Sequence, residues 1–210
     1  VRSSVVVPVK RLAVAKSRLY AAGRPRPEHA ALALALARDT VAAAAAARSV
    51  ARVVVVTDDP EAAAAMRDLG AVVVPDEPDA GLNPALAHGA AAAAGLGAGD
   101  GLALLSADLP ALRPVELDAA LAAAAAYPRS FVPDAAGSGT TLLAAAPGVP
   151  PEPRFGAGSA AEHARSGAVA LVGAWPSVRR DVDTAADLAA AAALGLGPAT
   201  RAWTAHAPVA

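Results

Sequence analysis

Short apolar runs recur along the chain between turn residues, and long Ala/Leu-rich stretches lie between them. Ser4–Val9, Arg52–Thr57, Ala71–Val74, Leu102–Ser106, Ser130–Pro133, Thr140–Ala145 and Val169–Val172 have the length and Val/Leu content of strands. Val53–Val56 is apolar at every position rather than at alternate ones, as in a strand covered on both faces. Glu28–Arg48, Pro60–Leu69, Pro84–Ala94 and Pro114–Ala126 have helical composition and lie between and after the first four strands. Asp59-Pro60 and Asn83-Pro84 are cap-then-proline starts, and Gly70 is a C-terminal stop. This alternation predicts an α/β fold over residues 1–210 as a single domain, with a mostly parallel central sheet and helices on both faces. The tail after Gly197 reads as an irregular extension.

Ligands of open α/β sheets bind beyond the carboxyl ends of the strands. Chemistry is therefore expected in the segments 8–18, 57–59, 75–83, 106–110, 134–141 and 153–159, and around 181.

Composition narrows the candidates. The chain of 210 residues has no Cys, which excludes disulfides, thiolate metal sites and a cysteine nucleophile. A net charge of −1, with two each of Phe, Tyr and Trp, argues against nucleic-acid binding. No uncharged apolar run approaches the ~20 residues that span a bilayer, and Val5–Val9 is too short for a signal-peptide core. The expectation is a cytoplasmic protein without a membrane partner. There are 64 Ala, no Ile, no Gln, one Asn and two Lys against 16 Arg. Such a bias is that of a very GC-rich genome, so the exceptions stand out: Lys10, Lys16 and Asn83.

Neither G-x-G-x-x-G nor G-x-x-x-x-G-K-[ST] occurs, and the four His show no metal-ligand spacing. The first loop does carry chemistry. Lys10, Arg11, Lys16 and Arg18 follow the first strand, where a doubly wound sheet holds phosphates. Asp108 follows the fourth strand in Ser106-Ala107-Asp108-Leu109-Pro110. Asp181 and Asp183 share a face if their segment is extended, and Asp183 or Thr184 is placed to cap the next helix. Carboxylates without His or Cys favour a hard cation, most simply Mg²⁺. Gly137-Ser138-Gly139-Thr140-Thr141 and Pro153-Arg154-Phe155-Gly156-Ala157-Gly158-Ser159 are Gly-rich loops suited to anions, and the second leads into a helix over Ala160–Arg165. Together these features suggest a Mg²⁺-dependent nucleotidyltransferase using a triphosphate.

The runs VPVKRLAVAKSRL, PDEPDAGLNPAL, SADLPAL, GSGTTLL, PRFGAGSAAEH and RRDVDTAADL resemble, in order from Val5 to Gly197, the guanylyltransferases of coenzyme F-420 biosynthesis (the CofC/FbiD family). The resemblance implies a Rossmann-like nucleotidyltransferase fold. It also implies transfer of GMP from GTP to a three-carbon phospho-acid with release of pyrophosphate. The acid is phosphoenolpyruvate in actinobacteria, which the Ala- and Arg-rich composition favours, and 2-phospho-L-lactate in archaea. Thr141, Gly156 and Ser159 would hold the acid's carboxylate. Asp108 and Asp181 would hold Mg²⁺, and Lys10, Lys16 and Arg18 would lie on the triphosphate. Gly81 and Asn83 match the segment that approaches the base. Lys10, Lys16 and Asp108 would be the catalytic groups, and activity would be coupled to the next transferase of the pathway. Ala157-Gly158 departs from the family, where Pro or Asp is common, which bears on the acid preferred. Two alternatives are a sugar-phosphate or molybdopterin-cofactor nucleotidyltransferase, expected to have a Gly-rich first loop, and a non-catalytic nucleotide-binding domain.

Overall fold

A computed structural model describes residues 2–12, 26–77, 79–97 and 100–206. The seven strands are β1 (Ser3–Pro8), β2 (Val50–Val56), β3 (Val72–Val74), β4 (Gly101–Leu105), β5 (Arg129–Pro133), β6 (Thr140–Ala145) and β7 (Val169–Ala170). The helices are α1 (Arg26–Ala46), α2 (Pro60–Asp68), α3 (Leu82–Leu96), α4 (Pro114–Ala124), α5 (Ser159–Arg165), α6 (Pro176–Arg179), α7 (Ala185–Leu194) and α8 (Pro198–His206). The strands form one sheet in the order β3-β2-β1-β4-β6-β5-β7. β1 is parallel to β2 and β4, β2 to β3, and β5 to β7, while β6 runs antiparallel to both of its neighbours. The expected mostly parallel α/β sheet is thus observed.

The all-apolar strands serve two cores because successive side chains point to opposite faces. Val5, Val7, Val53 and Val55 pack with Ala37 and Val41 of α1, Met66 of α2, and Leu117 and Leu121 of α4. Val6, Val54 and Val56 pack on the other face with Leu86, Ala90 and Ala93 of α3. Alanine lets these helices sit close, and at Gly89 even a Cβ would lie 2.5 Å from a Val56 methyl. The stretch Glu28–Ala46 of α1 is long and apolar enough to cross a membrane by length and composition. In the fold, its Leu32 and Leu36 are fully buried.

Two local expectations are corrected. The third helix starts at Leu82, with Gly81 at the N-cap (φ 106°), so Asn83-Pro84 is not its start. That φ is one which glycine alone adopts without strain. The tail after Gly197 is not irregular, because α8 packs against α1. Its first amides are capped from α1: Asp39 Oδ1 accepts the Ala199 N–H at 2.9 Å and Oδ2 the Thr200 N–H at 2.7 Å. Asp59 does cap α2, accepting from Glu61 and Ala62. Thr184 caps α7 in a reciprocal box with Asp187.

Candidate active site

The parallel strands end, and β6 begins, on one edge of the sheet. That edge gathers the segments after β1, β2, β4 and β5 together with Thr140 and Thr141. The loop after β1 is pinned by backbone geometry: Val9 N–H donates to Val56 O at 2.9 Å, and Leu12 N–H to Asp59 Oδ2 at 2.9 Å. One carboxylate of Asp59 therefore caps α2 and anchors the basic loop. Lys10 is exposed and lines a cavity of about 240 Å³ with Arg11, Asp58, Asp76, Asp79 and Gly81. Arg11 bridges Asp58 at 3.4 Å and Asp79 at 3.3 Å. Both pairs are solvated, so their net worth is small. The carboxylates of Asp58, Asp76 and Asp79 lie within 4.8 Å of one another. Sequence reasoning missed this acidic wall, because isolated Asp residues in loops read as turn formers. Lys16 and Arg18 lie outside the described residues.

The second group is acidic. Val182 N–H donates to Asp108 O at 3.1 Å, which ties the segment carrying Asp181 and Asp183 to the loop after β4. The carboxyl of Asp181 is pushed up to about 7, first by burial and then by the charges of Asp108, Asp183 and Asp134. The structure thus brings the predicted Asp108 and Asp181 together with Asp183, and adds Asp134. Asp134 also shapes its own turn, accepting from the N–H groups of Ser138 at 2.9 Å and Gly139 at 2.8 Å. A Cβ on Gly139 would collide with that carboxylate, which accounts for the glycine.

The Asp108 loop is held from behind by Thr40 of α1. Its buried hydroxyl accepts from Leu109 N–H at 2.9 Å, with Leu36 O at 2.9 Å and Ala107 O at 3.1 Å as acceptors for its proton. Thr40→Val should therefore lower stability by about 1–3 kcal/mol, since a buried N–H loses its partner. Thr40→Ser should restore most of it. Urea denaturation of the three proteins checks this.

The third group surrounds the two Gly-rich loops. The pairing of β5 with β6 passes from Val132↔Leu142 to Pro133↔Thr140, which makes Thr141 the extra residue of a bulge. Bulges re-aim side chains beside active sites. Thr141 is fully buried, and its hydroxyl lies 3.4 Å from Val132 O. Ser138 O accepts from Ala160 N–H at 3.1 Å, which joins the first loop to α5. Ser159 is the buried first residue of α5, after Gly158 in the left-handed region. Gly156 and Gly158 both have positive φ and are exposed.

His163 sits beneath this arrangement, fully buried. Its Nε2 accepts from Arg154 N–H at 3.0 Å, so the ring proton is on Nδ1, 2.9 Å from Thr140 Oγ1. The Phe155 ring meets it edge-on, with centroids 5.2 Å apart. Asn83 faces this loop, not the cavity at Gly81: its carboxamide holds the backbone of Phe155.

Comparison with known proteins identifies the family and the fold. The family model of the MobA-like NTP transferase domain matches residues 33–171. A phosphoenolpyruvate guanylyltransferase of Salinispora arenicola is 64% identical over 199 residues, covering 94% of this chain and 91% of its own. One of Geodermatophilus obscurus is 60% identical, covering 95% and 92%. Among solved structures, a nucleotidyl transferase from Methanothermobacter thermautotroptrophicus superposes with a TM-score of 0.60 at 18% identity, over 92% of this chain and 97% of that one. That similarity supports the Rossmann-like nucleotidyltransferase fold. The chain belongs to the family of the phosphoenolpyruvate guanylyltransferases, nucleotidyltransferases built on a MobA-like NTP transferase domain.

Proposed function

We propose that this enzyme joins GMP from GTP to phosphoenolpyruvate and releases pyrophosphate. The observation that carries the reading is near-full-length identity of 55–64% to relatives of that name. The site's layout supports it. Carboxylates repel phosphates but accept N–H groups, so the Asp58–Asp76–Asp79 wall suits guanine and ribose, with Gly81 beside it. The triphosphate then extends past Lys10 toward Asp108 and Asp181, with Lys16 and Arg18 from the first loop. The acid lies on Thr141, Gly156 and Ser159.

A divalent cation fits the chemistry of the carboxylate group: the charges of Asp108, Asp183 and Asp134 add to burial, the larger cause, in raising Asp181, and a cation would offset them. Asp108 and Asp181 would hold Mg²⁺, with Asp183 and Asp134 nearby, and the ion would supply charge neutralisation for the two phosphates. The attacking phosphate oxygen is already anionic near neutral pH, so no general base is required. His163 is not one, as both of its ring nitrogens are engaged in the buried scaffold. Catalysis then consists of orientation and charge compensation.

The test is pyrophosphate release from GTP and Mg²⁺ with phosphoenolpyruvate, 2-phospho-L-lactate or 3-phosphoglycerate, with the product followed by mass spectrometry in the presence of the next transferase. Phosphoenolpyruvate should be the preferred acid, and ATP a poor substitute for GTP. No release with any acid would overturn the proposal. Ser159→Ala should raise the KM for phosphoenolpyruvate about ten- to a hundredfold, the worth of one hydrogen bond to a charged group, and leave that for GTP unchanged. A lower melting temperature with unchanged kinetics would instead make Ser159 a purely structural residue.

A further inference from the structure

The N-terminal turn of α3 touches two parts of the site at once. Gly81, its cap, lines the cavity that also contains Lys10. Asn83, two residues on, points away from that cavity. Its Nδ2 donates to Phe155 O at 3.0 Å and its Oδ1 accepts from Phe155 N–H at 2.7 Å. The carboxamide thus pairs with one residue's backbone as another peptide group would, satisfying donor and acceptor together. Asp or Glu could accept but not donate there, and Lys or Arg could donate but not accept. This chain contains a single Asn, and it stands at this position.

The residue it grips is central to the second Gly-rich loop. Phe155 directly precedes Gly156, and its ring packs on the apolar cluster that also includes Leu82 of α3. His163 in turn accepts from the neighbouring Arg154 N–H. The stretch Arg154–Phe155 is therefore fixed by two side chains from two helices, one of which begins at the cavity beside Lys10. Gly156 and Gly158, both at positive φ, would otherwise leave this loop with little conformational restraint.

We propose that Asn83 is a positioning residue, which clasps the Phe155 backbone and sets the acid-binding loop in register with the nucleotide-binding end of α3. This rests on the guanylyltransferase reading for the ligand names, but the clasp itself does not. It also replaces the expectation that Asn83 approaches the base.

The experiment uses Asn83→Ala, which removes both hydrogen bonds, and Asn83→Asp, which keeps an acceptor and deletes the donor. Hydrogen exchange at the Phe155 amide reads the clasp without substrate. Protection should fall at least tenfold in Asn83→Ala and less in Asn83→Asp. Steady-state kinetics with GTP, Mg²⁺ and phosphoenolpyruvate read the role. The KM for the acid should rise about tenfold in Asn83→Ala, the loss of roughly one net hydrogen bond, while GTP affinity by calorimetry changes less than twofold. Asn83→Asp should fall between wild type and Asn83→Ala, and decides the matter if Asn83→Ala does not fold. Weakened GTP binding with an unchanged acid KM would overturn the proposal and return Asn83 to the nucleotide. A reduced melting temperature with both constants unchanged would also overturn it. If wild type shows no acid-dependent turnover, the functional reading fails, and the exchange data still decide whether the clasp exists.

Discussion

Replacing Asp181 with Asn is expected to cut pyrophosphate release by about a thousandfold, and at the same time to raise the melting temperature of the metal-free protein at pH 8. The first effect follows from the proposed role of Asp181, since losing a charged ligand of a cation that offsets two phosphates is worth several kcal/mol in the transition state. The second follows from the neighbours. Burial and the charges of Asp108, Asp183 and Asp134 push the Asp181 carboxyl up to about 7. A carboxyl with a native pKa above its unfolded value of about 4 binds its proton more tightly in the folded state. Folding is favoured by this group at low pH, and that contribution is lost as pH rises from about 4 through 7. Asparagine has no charge to bury and escapes the loss. Mg²⁺ should likewise raise the melting temperature of wild type more at pH 8 than at pH 5.5, and this increment should shrink in Asp181→Asn. Asp108→Asn should show the same loss of turnover. Near-wild-type activity at saturating Mg²⁺ would remove either residue from the ligand set, with Asp183 the next candidate. Thermal melts with and without Mg²⁺, alongside turnover, check all of this.

The second large effect concerns His163, and its pH dependence has the opposite sign. Burial, followed by the charges of Arg154 and Arg129, holds the His163 imidazole down at about 4, with the charge of Glu162 and a backbone hydrogen bond at Ser159 pulling the other way. Protonation would turn the acceptor that holds Arg154 N–H into a donor. A histidine with a native pKa below its unfolded value of about 6.5 binds its proton more readily when unfolded. Its contribution is complete above pH 6.5 and is lost as pH falls from there to about 4, a total of about 3 kcal/mol. His163→Gln keeps a donor and an acceptor but cannot titrate, so its denaturation midpoint should be flatter than that of wild type between pH 6.5 and 4. His163→Ala should be destabilised by about 3 kcal/mol or more at pH 7.5, because it leaves a cavity and an unpaired Arg154 amide. Urea titrations of the three proteins across this range provide the measurement. Equal slopes for wild type and His163→Gln would show that His163 does not titrate in this window.

Much of the architecture was legible because its causes are local. The valines of β1 and β2 are apolar on both faces, so they specify covered strands without reference to partners. Asp59-Pro60 specifies a helix start through a cap that reaches only two and three residues ahead. Asp108 follows β4 and so stands at the edge where parallel strands end, whereas Asp181, after α6, is tied to it through the Val182 N–H to Asp108 O bond. Other features depended on contacts distant in sequence. Asn83-Pro84 has the local form of a cap, but the Asn83 carboxamide pairs with Phe155, 72 residues away, and the cap falls to Gly81. The tail after Gly197 became a helix because Asp39, 160 residues earlier, supplies its first acceptors. Asp134 joined the acidic group, and His163 became a scaffold under the second Gly-rich loop, only once β5, β6 and α5 were packed together. In this protein the chain alone determined where most strands and helices form, since hydrophobic period and caps act over a few residues. Tertiary structure decided what each polar side chain does, because donors, acceptors and charges acquire their partners, and their pKa values, only when distant segments meet and water is excluded.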